Sequence, residues 1–104
     1  MTMTPLRPLL ACALALAPHL VLAQDALLAR NLAATCASCH GTDGHARGDM
    51  RPLAGLPAEK IIAAVAGFRS GAQPATIMQQ IARGYSDEQI RLVAGYFAAQ
   101  AVRP

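Results

Sequence analysis

Three stretches of this chain repeat their apolar positions at the three-to-four residue period of a helix, and none alternates as a strand would. From Asp25 onward, Leu28, Leu32 and Cys36 recur four residues apart with Ala29 and Ala33 beside them. This spacing predicts an amphipathic helix running into the segment Cys36–His40. Pro57 suits the first turn of a second helix and Glu59 its positive end. Ile61, Val65 and Phe68 then share a face that Ile62 and Ala66 widen, before Gly71 stops the helix. After the Gln73-Pro74 break, Thr76-Ile77-Met78-Gln79 has the form of a capping box for a short helix ending at Gly84. Ser86-Asp87-Glu88-Gln89 is a second such box, followed by Ile90, Val93, Ala94 and Phe97 at i, i+3, i+4 and i+7. Between Gly41 and Gly55 the density of Gly, Pro and Asp predicts a loop.

These elements imply an all-α architecture of three to four helices, with the first and last crossing where Ala29 and Gly95 are small enough for close approach. No internal repeat or low-complexity tract is visible.

Residues 1–23 differ in character from the rest. Arg7 supplies a positive start, Leu9–Ala17 an apolar run, and Val21-Leu22-Ala23 a small-residue cleavage site before Gln24. This is the pattern of a secretory signal peptide, and it predicts export to the periplasm. Pro18 and His19 interrupt the run short of the roughly 20 residues that span a bilayer, which argues against a stable membrane anchor. Cleavage leaves residues 24–104, a single domain of 81 residues in which a core alone is marginal and a bound group is usually needed. Eight Lys/Arg are then set against six Asp/Glu, scattered along the chain, which does not indicate nucleic-acid binding. Cys12 leaves with the signal, so only Cys36 and Cys39 remain.

Those two cysteines lie in Cys36-Ala37-Ser38-Cys39-His40. At C-x-x-C-H spacing two thiols can bond the vinyl groups of one haem while the adjacent imidazole ligates its iron. Cys36 and Cys39 are therefore the candidate covalent attachment sites of a haem c and His40 the proximal iron ligand. Three other readings compete. A thioredoxin-like dithiol needs a strand before Cys36 and has no use for His40. A zinc site of Cys36, Cys39, His40 and His45 packs its ligands too tightly for one tetrahedral metal. A structural disulfide is the third.

The opposite iron position decides between electron transfer and binding of small molecules. His19 leaves with the signal, and His45 follows His40 too closely to travel round the porphyrin. Met50 lies ten residues after His40, where the chain still passes the proximal face. Met78 lies 38 residues after His40, beyond a full helix and a proline break, and is the candidate distal ligand. A thioether opposite imidazole keeps iron six-coordinate in both oxidation states, which favours shuttling single electrons. The carbonyl of Pro52 is the candidate acceptor for the other His40 nitrogen.

Cys36–Gly41 reading CASCHG, then Pro52-Leu53-Ala54-Gly55, then Met78, then an acidic-capped terminal helix with Tyr96-Phe97, together resemble a class I c-type cytochrome. The resemblance covers nearly all of residues 24–104. LAATCASCHGTDG, FRSG at Phe68–Gly71, PATIMQQIARGYSDEQI and YFAAQ are more narrowly similar to the cytochrome subunits of flavocytochrome c sulfide dehydrogenases. The resemblance implies a small cytochrome c-like fold round one covalent haem. It gives Cys36 and Cys39 the attachment, His40 and Met78 the iron, and Pro52 the carbonyl. It also implies an FAD-containing flavoprotein partner that oxidises sulfide and passes electrons to the haem. The chain itself would then be an electron-transfer protein with no catalytic residue. Two departures stand out: some relatives of this kind carry two haem domains where one motif is present here, and Ala29 stands where class I cytochromes often place glycine.

Two other functions remain open to these residues. A free diffusible cytochrome serving an oxidase or reductase would read almost identically. A haem enzyme or gas sensor with an open distal site would lack Met78 ligation, but no distal His or Arg is placed to cleave a peroxide bond.

Overall fold

A computed structural model describes the backbone of residues 7–103 and the side chains of His19, Leu20 and residues 22–103. The first six residues of the expected signal and the side chains of its apolar run, Cys12 among them, lie outside the described residues. Among the described residues there are five α-helices and no strand. They are α1 (Arg7–Ala34), α2 (Ala37–His40), α3 (Ala58–Ser70), α4 (Met78–Arg83) and α5 (Asp87–Ala98), with a 3₁₀ turn at Thr42–Gly44 inside the expected loop. No described helix is long and apolar enough to cross a membrane.

α1 begins well before Asp25 and ends at Ala34, so the Cys36 segment follows it as a separate short turn of helix. α3 starts one residue after Pro57, whose carbonyl accepts from the amides of Lys60 and Ile61, and ends at Gly71 with φ +83°. That left-handed conformation is one glycine adopts without a Cβ clash. α5 carries the expected capping box in full. The Gln89 amide donates to Ser86 Oγ (3.2 Å), and the Ser86 amide donates to Gln89 Oε1 (2.9 Å).

The other box does not form. α4 starts at Met78 behind Ile77, which has no capping side chain, and its first turn bonds back to the Ile77 carbonyl. Gln79 does not reach back to Thr76; its Oε1 is buried without a partner.

α1 and α3 both pack against α5, and α4 packs on α3. The core holds Ala33, Ile61, Val93, Ala94 and Phe97, with Leu32, Cys36, Leu53 and Leu56 packed at its margin. Two details of the expected helix crossing change. Alanines, not leucines, centre the α1 face: Ala29 and Ala33 are buried while Leu28 is exposed, because a close crossing leaves no room for a branched side chain at the contact. On α5 the small buried residue is Ala94, at 0% exposure, whereas Gly95 is exposed and an added Cβ there would meet nothing.

Candidate functional site

The Thr35 and Cys36 amides bond back to the Leu32 and Ala33 carbonyls, closing α1, and the His40 amide donates to the Cys36 carbonyl (2.9 Å) as α2 forms. Cys39 and His40 thus stand three and four residues beyond Cys36 on one helical turn, a spacing that brings side chains to a common face. Cys36 is half-buried at the core margin, Cys39 is exposed, and the two are not bridged to each other. Burial pushes the Cys36 thiol up, and its interaction with Thr35 works weakly in the opposite direction.

His40 is held from its far side. Its Nδ1 lies 2.7 Å from the carbonyl oxygen of Arg51. That oxygen can only accept, so Nδ1 carries the proton and donates, which leaves Nε2 with the lone pair a metal requires. The acceptor is therefore the Arg51 carbonyl and not that of Pro52. Proline restricts the residue before it to extended conformations and so fixes the Arg51 peptide, while its own carbonyl belongs to the next unit.

Backbone contacts hold the Arg51 segment beside α2. The Gly44 carbonyl accepts from the amides of Leu53 (2.9 Å) and Ala54 (3.2 Å), and the Gly55 amide donates to the Phe97 carbonyl (2.9 Å). Gly44, with φ +80°, has no room for a side chain, since a Cβ would sit 2.6 Å from the Ala54 nitrogen and 2.9 Å from the Phe97 ring.

Met78 is half-buried at the start of α4. Met50 is 44% exposed in the bend before Arg51. The structure thus gathers Cys36, Cys39, His40 and the Arg51 carbonyl into one cluster and sets Met78 on a separate helix. A hydrogen bond of 2.6 Å between Tyr85 and Thr35 joins the two parts. Thr35 spends its own proton on the Leu32 carbonyl (2.8 Å), so Tyr85 is the donor. Among the described residues no three His, Cys, Asp or Glu side chains are grouped to hold a bare metal ion, so the four-ligand zinc arrangement is not assembled.

The residues present fit a haem. The thiols are unbridged, one imidazole is oriented with a free nitrogen, and large apolar side chains are left uncovered at Ile77 (57% exposed) and Ile81 (43%) beside Met78. The unpartnered Gln79 oxygen lies next to Met78 in sequence.

Sequence reasoning missed Arg69. From the end of α3 its guanidinium donates to the carbonyls of Ala82 (3.2 Å) and Tyr85 (2.8 Å) and pairs with Asp87 (2.6 Å), fastening the end of α4 to α3 and to the start of α5. It also missed the bond from Tyr96 to Asp43 (2.5 Å). No local signal announces either contact, since the partners lie 13 to 53 residues apart.

No family model matches the chain. Individual relatives do. Over 66 residues it is 39% identical to the cytochrome subunit of sulfide dehydrogenase from Chlorobaculum tepidum, a match covering 64% of this chain and 60% of that protein. It is 36% identical over 69 residues to cytochrome c-553 of Desulfomicrobium norvegicum, covering 64% of this chain and 86% of that one. Over 82 residues it is 34% identical to cytochrome c-554(548) of Halomonas halodenitrificans, covering 75% and 99%. The all-helical fold, the C-x-x-C-H turn with its oriented imidazole, and relatives matched along nearly their whole length lead to one assignment: the chain belongs to the class I c-type cytochromes, monohaem electron carriers with covalently bound haem c.

Proposed function

We propose that this chain is an exported, periplasmic cytochrome that takes single electrons from the FAD-containing flavoprotein subunit of a sulfide dehydrogenase. In this reading residues 1–23 are removed as a signal peptide and residues 24–104 form the cytochrome domain. Cys36 and Cys39 hold the haem through thioethers, His40 ligates its iron from the proximal side, and Met78 ligates it from the distal side. The bound group supplies a one-electron ferric/ferrous couple.

The protein's own residues set the terms of that couple. The Arg51 carbonyl, by accepting the Nδ1 proton, fixes the tautomer and ring orientation of His40 and raises the basicity of Nε2. Arg69 and Tyr85 hold α4, and with it Met78, against the rest of the molecule. The observation that carries the haem part of the reading is the 2.7 Å contact between His40 Nδ1 and Arg51, because it leaves one nitrogen, in one tautomer, near two unbridged cysteines.

The sulfide dehydrogenase partner is supported by the name of the Chlorobaculum relative, of whose length this chain spans 60%, and its flavin only by the resemblance of the sequence segments described above. A second reading, a diffusible carrier without a permanent partner, is favoured by the relatives covered over 86% and 99% of their length, whose names carry no dehydrogenase. Purification of the tagged protein from its own cells separates the two: a flavin-containing partner in fixed proportion supports the first, and a lone cytochrome the second. Met78→Ala tests the distal ligand. The variant is expected to lose the far-red ferric band of methionine ligation and to bind carbon monoxide readily when reduced; retention of the band would transfer the role to Met50.

A further inference from the structure

We infer that Tyr96 and Asp43 form a positioning tether for His40, acting through the loop that carries the Arg51 carbonyl. This rests on the reading of His40 as the proximal ligand. Asp43 lies three residues after His40, within the Thr42–Gly44 turn, and it is the one non-glycine residue with positive φ among the described residues, at φ +55° and ψ +21°. Side chains adopt this left-handed conformation rarely, Asp and Asn more readily than most. Here it aims the Asp43 carboxylate at α5, where the Tyr96 hydroxyl donates to Oδ1 at 2.5 Å.

The consequence for His40 follows from the backbone. The turn closes on itself through Gly44 N to Gly41 O (3.0 Å) and His45 N to Thr42 O (3.1 Å), so Asp43 and Gly44 move together. Gly44 in turn receives the Leu53 and Ala54 amides, two and three residues past Arg51. The next residue on α5 completes the frame, because Phe97 accepts from Gly55. Tyr96 thus pins one side of the loop and Phe97 the other, and the His40–Arg51 hydrogen bond spans the space between the pinned segments. The bond with Asp43 also holds the Tyr96 phenol above its usual range.

Tyr96→Phe removes one oxygen and no formal charge, and it leaves the ring that packs edge-on against Phe97 at 5.6 Å. In the haem-loaded protein two readouts respond to the His40–Arg51 hydrogen bond. The first is solvent exchange of the His40 Nδ1 proton, followed by NMR in the ferrous state. Loss of one hydrogen bond to a charged acceptor in the frame is expected to speed it about tenfold. The second is the reduction potential, which should rise, because a weaker Nδ1 bond makes the imidazole a poorer donor and favours ferric iron less. Asp43→Asn keeps an acceptor oxygen and should retain slow exchange. Asp43→Gly, which tolerates the left-handed backbone and removes the acceptor, should match Tyr96→Phe in exchange, and the double variant should exchange no faster than either single one.

If Tyr96→Phe kept native exchange and potential while losing thermal stability, the tether would be structural only and the inference overturned. Independent effects in the double variant would overturn it equally. The proximal assignment is tested separately by His40→Ala. An unchanged haem spectrum in that variant would sink the assignment itself, whatever the Tyr96 result.

Discussion

Burial and hydrogen bonding tune individual side chains around the site in ways that can be titrated. The hydrogen bond from Tyr96 to Asp43 raises the phenol pKa first, followed by burial and the charge of Asp43, while Arg30 opposes them. Its folded pKa therefore exceeds the unfolded value of about 10. A group of this kind contributes stability that is complete below the unfolded pKa and is lost as pH rises through the folded one. Denaturant titrations at pH 9 and at pH 11 should show a larger loss of stability for the native protein than for Tyr96→Phe; equal losses would mean that the phenol does not titrate against Asp43. Much at this scale is legible in the sequence. The Cys36, Cys39 and His40 cluster follows from spacing alone, since one turn of helix brings all three to one face. The partner of His40 is legible only to within one residue. A backbone carbonyl carries no side-chain signature, and Pro52 marks the place because it constrains Arg51 before it.

Helices in this chain are placed by their ends as much as by their apolar stripes. Ser86 and Gln89 start α5 where the sequence predicts, because both halves of that box face solvent and nothing competes for them. The equivalent residues before α4 fail to cap it, since Gln79 turns inward and Ile77 takes the capping position. What holds α4 is instead Arg69, a residue on another helix, whose donors take the Ala82 carbonyl that the end of the helix leaves unsatisfied and the Tyr85 carbonyl just beyond it. The ion pair with Asp87 is exposed and adds little by itself. Arg69→Ala should cost about 1–3 kcal/mol through the two carbonyl bonds. If α4 carries the distal ligand, the variant should also lose the far-red ferric band at lower temperature or denaturant than the native protein does. A band as durable as the native one would separate α4 docking from Met78. The sequence places FRSG at the end of α3 but not its reach to Ala82 and Tyr85, because that contact exists only once α3 and α4 are packed.

At the scale of the whole molecule the protein core is thin. Nine described apolar residues are buried, five of them alanines, and Phe97 is the only large side chain among them below 2% exposure. Alanine removes little apolar surface from water, so burial of this kind leaves the folded chain marginal against its conformational entropy. Ile77, Ile81 and Met50 remain largely uncovered around the site, and a haem would supply the missing apolar surface. Cys36→Ser combined with Cys39→Ser, which removes both attachment thiols, should therefore give a chain without a cooperative thermal transition by circular dichroism; a sharp native-like transition would show that the helices pack without the cofactor. The helical class and the first-to-last helix contact are readable from periodicity, whereas the choice of Ala33 and Ala94 for the core depends on how closely α1 and α5 approach. Covalent attachment of one haem through Cys36 and Cys39 underlies every other assignment, and the intact mass of the purified protein after acid denaturation tests it. The expected mass is that of residues 24–104 plus one haem. A mass equal to the polypeptide alone would contradict it.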